Sequence, residues 1–131
     1  GYSEGKDCIA VGNFLKSEQV LEAMTNEFNG LHTEASLIDR LIAALNAGKH
    51  AGGQEGSNGK RLAERSACLM VHTSGEQFPV STRVDFSGDA IPELQKAVNA
   101  YQTMHKFYLT RATNPADLPP QDQWSGNLDS S

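Results

Sequence analysis

The sequence predicts a layered α+β fold. Three segments carry apolar residues at helical spacing, and a compact apolar run followed by a strictly alternating one lies between the second and third. With one more apolar run near the start, the order is strand, helix, helix, strand, strand, helix, a pattern of sheet packed on helices.

Residues 6–15, KDCIAVGNFL, read as a buried strand ending at Gly12-Asn13. Ser17 offers an N-cap oxygen to the first helix, with Glu18 in the first turn, where the helix dipole favours a carboxylate. Val20, Leu21, Met24 and Phe28 recur at helical spacing, and Asn29-Gly30 stops the helix. Thr33 caps a second helix with Glu34 in its first turn. Leu37, Ile38, Leu41, Ile42 and Leu45 form its apolar face, and Gly48 stands at its stop. Residues 52–59 are glycine-rich and polar, which predicts an exposed, mobile loop.

Residues 66–72, SACLMVH, read as a strand buried on both faces, broken by Thr73-Ser74-Gly75. Val80, Thr82, Val84 and Phe86 then alternate with Ser81, Arg83 and Asp85, so the two runs should pair as an antiparallel hairpin. Ser87-Gly88-Asp89 opens a third helix that tolerates Pro92 in its first turn. Leu94, Val98, Tyr101 and Tyr108 mark its buried stripe, with Ala97 and Met104 or His105 alongside. Asn114-Pro115 ends it. Residues 1–114 therefore form the folded portion and 115–131 an irregular tail that Trp124 pins to the body.

At 131 residues the chain has the length of one domain, long enough to bury a core. No apolar run is long enough to span a bilayer, so a soluble protein is expected, cytoplasmic or exported. A net charge of −5 argues against a nucleic-acid surface. Cys8 and Cys68 lie in apolar, strand-like runs. Two buried free thiols are the simpler reading, and a disulfide would require the two strands to be neighbours.

Few motifs carry chemistry. Residues 53–60, GQEGSNGK, imitate a phosphate loop, but Asn58 stands at the second glycine position, Arg61 follows the lysine, and the context runs from helix to strand. His32, His50, His72 and His105 are scattered without metal-ligand spacing, and no serine sits in a glycine-flanked elbow. No metal or cofactor is expected. Two places hold unusual polar chemistry. At Gly12-Asn13, glycine admits a close approach and the Asn13 amide can donate to a developing oxyanion, although a plain turn into the helix explains the pair as well. Arg83 and Asp85 share one face of the alternating strand, where they either pair on a solvated surface or line a cleft.

Three strands make a thin sheet, and the buried runs at 8–11 and 67–71 call for neighbours on each side. The chain reads as part of a larger sheet. Its start, GYSEGKDC, has no initiator Met and no signal-peptide pattern, as expected of a processed or truncated polypeptide.

An ordered set of short elements resembles the DUF1028 family of the N-terminal-nucleophile (Ntn) hydrolase-like superfamily. The set comprises Gly12-Asn13, Val20 to Met24 with Phe28, the run RLIAALNAG at 40–48, Ala51-Gly52-Gly53, Ser66-Ala67, Arg83-Val84-Asp85 and Pro92-Glu93-Leu94. It departs from the family pattern in a longer 54–65 loop, in Arg65 and in Phe86. The resemblance covers residues from about 1 to 101 and concerns only the family's C-terminal half.

That resemblance implies a four-layer αββα sandwich completed by a companion N-terminal chain of the same protein. It also implies amide-bond hydrolysis through an N-terminal Thr, Ser or Cys lying outside this chain, since Gly1 has no nucleophile. Asn13 would then be an oxyanion donor, and Arg83 and Asp85 would line the cleft. The chain alone is not expected to be catalytic, and a homo-oligomer is expected. The rival expectation is a non-catalytic structural or assembly protein built on the same layers. A third is a small α/β binding domain that folds by itself.

Overall fold

The computed structural model describes residues 1–31 and 35–125. Mixed helix and strand content agrees with the α+β expectation, but among the described residues the strands number six, paired into three antiparallel two-stranded sheets.

Strand β1 (Tyr2–Glu4) pairs with β2 (Ile9–Val11), Tyr2 opposite Val11, Ser3 opposite Ala10 and Glu4 opposite Ile9. The first strand escapes a periodicity search because Tyr-Ser-Glu holds no apolar run. The expected strand over 6–15 shrinks to three residues, since 6–8 make the turn and 12–15 peel away. Nor is it buried on both faces: Ala10 is buried, while Ile9 and Val11 are exposed. The inner face rests on helix α1 (Gln19–Gly30), where the Ser3 and Thr25 hydroxyls lie 3.0 Å apart.

Helix α1 starts without the expected Ser17 side-chain cap. Glu18 is its N-cap, in helical conformation, and the first turn is closed by backbone bonds from Val20 to Ser17 and from Leu21 to Glu18. Val20, Leu21 and Phe28 are buried as the spacing predicts. Helix α2 (Leu37–His50) is capped by Ser36, whose Oγ accepts from the Asp39 amide at 3.1 Å. The expected cap at Thr33 and the carboxylate of Glu34 lie outside the described residues, as does His32.

Gly48 does not stop α2. It sits inside the helix, where a Cβ would meet the Met24 side chain of α1 at 2.8 Å, so its role is close helix packing. The chain turns instead at Gly52 and Gly53, both at positive φ (125° and 58°). The expected mobile loop is also corrected: β3 (Gln54–Glu55) and β4 (Arg61–Leu62) form a short hairpin around residues 56–60. The imitation phosphate loop is this hairpin, and it precedes no helix.

Strands β5 (Ala67–Val71) and β6 (Val80–Val84) pair as expected, Ala67 opposite Val84 and Val71 opposite Val80. β5 is buried on one face only, because Leu69 and Val71 turn inward while Cys68 and Met70 turn out. Phe86 leaves the alternation, standing beyond the strand end and exposed. Helix α3 (Ala90–Thr113) crosses the inner face. Ile42, Leu69, Val71, Val80, Leu94 and Val98 form the core between this hairpin, α2 and α3. Asp89, at the start of α3, receives the Lys49 ammonium from the end of α2 at 2.5 and 2.6 Å.

Toward the end of α3, Phe107 is buried where Tyr108 was expected, and Tyr108 is exposed. The tail is more regular than its composition suggests. A 3-10 turn (Pro115–Asp117) and helix α4 (Gln121–Ser125) follow, and Trp124 does pin it, its ring 5.2 Å from that of Phe107. Among the described residues no helix is long and apolar enough to cross a membrane.

Candidate functional site

Gly12 and Asn13 follow β2 at the point where the chain leaves its hairpin. Gly12 and Gly1 exchange two backbone bonds, Gly1 nitrogen to Gly12 carbonyl at 2.9 Å and Gly12 nitrogen to Gly1 carbonyl at 3.1 Å. Asn13 is exposed, and its carbonyl accepts from Gln54 Nε2 at 3.4 Å. Beside it Phe14 takes a left-handed backbone at φ 51°, the one non-glycine residue at positive φ among those described. The bend is clamped: the Glu55 nitrogen donates to the Phe14 carbonyl at 2.7 Å and the Lys16 nitrogen to the Gly53 carbonyl at 3.0 Å. The elements 12–16 and 53–55, distant in sequence, are thus one unit. It opens on a depression of about 260 Å³ lined by Gly1, Asn13, Ser17 and Glu18 among others. Among the described residues the Asn13 side-chain amide has no hydrogen-bond partner, so its N–H groups can serve a ligand.

Arg83 and Asp85 lie elsewhere, at and just beyond the end of β6. They pair with each other, Arg83 Nε donating to Asp85 Oδ1 at 2.9 Å and Nη2 to the same oxygen. Their side chains are 73% and 71% exposed, so water screens this pair. The hydrogen bond to Asp85, then its charge, raises the guanidinium pKa above its ordinary value. Arg83 stands directly across from Cys68 on the outer face of the hairpin. The structure therefore places Asn13 and the Arg83–Asp85 pair on separate depressions.

A third recess adjoins the Arg83–Asp85 depression at residues 68–70, and the sequence did not disclose it. It is an apolar slot of about 400 Å³ flanked by β2 and β5 and floored by α1 and α2. Cys8 and Cys68 both line it as free thiols, Cys8 half-buried and Cys68 exposed, so the thiols are free as expected but neither is buried. The outward register of Cys68 opposite Arg83 was recoverable once the 67–71 run was paired with 80–84. His105 is a packed residue, its Nε2 bonded to the Phe78 carbonyl at 2.9 Å. No group of three or more His, Cys, Asp or Glu side chains that could hold a metal occurs among the described residues.

The family of unknown function DUF1028 matches residues 1–94. The chain belongs to the DUF1028 family. A solved structure, protein SPO2555 from Silicibacter pomeroyi, assigned to DUF1028, is similar to it with 29% sequence identity and a TM-score of 0.59. The similarity covers 89% of this DUF1028 chain and 42% of that one, so the chain spans less than half the length of its solved relative. No curated protein matches. The match to the family covers β1 through the first turns of α3, and so includes Asn13, Arg83, Asp85 and both walls of the slot.

Proposed function

We propose that this chain is the C-terminal portion of an Ntn-hydrolase-like DUF1028 protein that cleaves an amide-type bond with a nucleophile outside these residues. One observation carries the reading: the β1–β2 hairpin lays its inner face on α1 and leaves apolar side chains on its outer face, and Met70 stands bare on the outer face of the β5–β6 hairpin. Tyr2, Ile9, Val11 and Met70 are 72%, 64%, 70% and 71% exposed. Helix and sheet are two layers, and an apolar outer sheet face is what a second sheet would cover in a four-layer αββα sandwich. The 42% share of the solved relative's length leaves room for that second half.

In this scheme the companion segment brings an N-terminal Thr, Ser or Cys whose own amine acts as base. Asn13 donates its free amide to the oxyanion, held in place by the Phe14 bend, and the Arg83–Asp85 pair lines the cleft. Chemical sequencing of the mature N-terminus of the complete protein tests this. Thr, Ser or Cys there, with amide hydrolysis abolished when that residue becomes Ala, supports the reading. Any other residue, with no hydrolysis of amide substrates, removes it.

A non-catalytic assembly protein is the second reading. It is favoured by the separation of Asn13 from Arg83 and Asp85 and by the breadth of the exposed apolar face. Normal assembly with no turnover in the complete protein would select it.

A further inference from the structure

The slot between β2 and β5 is apolar and runs along the edges of two strands. Its floor is apolar, built from Met24 and Phe28 of α1 and Leu41 and Leu45 of α2, and no charged side chain lines it. The Thr25 hydroxyl there is already bonded to Ser3 and to the carbonyls of Leu21 and Glu22. Apart from the weakly hydrogen-bonding thiols of Cys8 and Cys68, a polar small molecule would find no side chain there to orient it.

The slot instead offers backbone. Gly1 and Gly12 exchange both of their bonds, and Gly5 nitrogen donates to Cys8 carbonyl at 2.9 Å, which fixes the phase of the β1–β2 ladder. In an antiparallel ladder bonded and non-bonded pairs alternate. Ser3–Ala10 is then a bonded pair, while Tyr2–Val11 and Glu4–Ile9 are not. The N–H and C=O groups of Ile9 and Val11 therefore point away from β1, toward the slot. An edge of this kind recruits another strand.

We infer that the slot between β2 and β5 receives an extended segment from the part of the DUF1028 protein that this chain does not span. The segment hydrogen-bonds to Ile9 and Val11 and joins the two hairpins into one sheet. The inference rests on the companion segment of the proposed function and adds its docking place. Length favours this occupant, because more than half of the solved relative lies outside the matched stretch. A second copy is disfavoured, since among the described residues each strand belongs to a two-stranded hairpin and none is a single strand that could enter the slot. The walls set the segment's chemistry. It lies over Phe28 and Leu45 on one side and beside exposed Ile9, Val11 and Met70 on the other. It is thus a run of three to five residues, apolar at successive positions, as in strands buried on both faces.

Hydrogen exchange and amide NOEs measured on the complete protein, purified from its source, test the inference. The expected result is that the Ile9 and Val11 amides exchange at least a hundredfold slower than unstructured amides. Their NOEs should run to a companion strand. If the companion is present but those amides exchange freely, or their NOEs lead to no strand of it, the docking place is wrong while the companion stands. If the source protein has no residues beyond these 131, both readings fall. Protection that appears only as concentration rises, with NOEs between copies, assigns the slot to a second copy and overturns the inference.

Discussion

Phe14 is where local strain and candidate chemistry meet. A bulky residue at φ 51° sits in a sparsely populated region that persists only when its surroundings hold it, here through the Glu55 and Lys16 backbone bonds. Asn tolerates this conformation and a β-branched residue does not. Phe14→Val should therefore lower stability by about 1–2 kcal/mol in denaturant unfolding, and Phe14→Asn should be close to neutral. Its neighbour Asn13 is exposed and makes no side-chain bond that the fold needs. In the complete protein Asn13→Ala should cost about 2–4 kcal/mol of transition-state stabilisation in kcat/KM with unchanged unfolding, if it is an oxyanion donor. Unchanged turnover would leave Asn13 a turn residue.

At the scale of elements, the interlocking of α1 and α2 depends on a residue with no side chain. Gly48 faces Met24 and Val20, and a Cβ there would stand 2.8 Å from Met24 and 3.6 Å from Val20. Gly48→Val should destabilise by about 1–3 kcal/mol in thermal or denaturant unfolding. Leu94, fully buried in the core, should cost about 2–5 kcal/mol as Leu94→Ala by the same measurement. These helices were legible in the sequence because their apolar spacing is long and regular. The β5–β6 pairing was legible through the alternation of 80–86. Short elements were not. β1 has three residues and β3 and β4 two each, too few for a period to show, and they exist through pairing across short turns that no apolar pattern marks. The same limit hid the slot. Reading 8–11 and 67–71 as buried runs caught their need for neighbours, but not that Ile9, Val11 and Met70 stand bare on the outer face here. Asn13 was legible as a residue at a strand end, while its clamp on 53–55 is a tertiary fact.

At the scale of the molecule, the β1–β2 and β5–β6 hairpins rest on a helical layer, the first turns an apolar face outward, and the slot between them has an open backbone edge. An isolated monomer rarely leaves a contiguous apolar face uncovered, and on this ground we propose that a further segment covers it. The central claim is that these 131 residues are one portion of a two-sheet protein. Intact-mass and native mass spectrometry of the protein purified from its source test it most directly. The prediction is a species containing these residues together with a further segment, continuous or as a tightly held companion chain, that raises the mass per protomer to about twice 14.1 kDa. A stable species of 14.1 kDa protomers with no companion would contradict it.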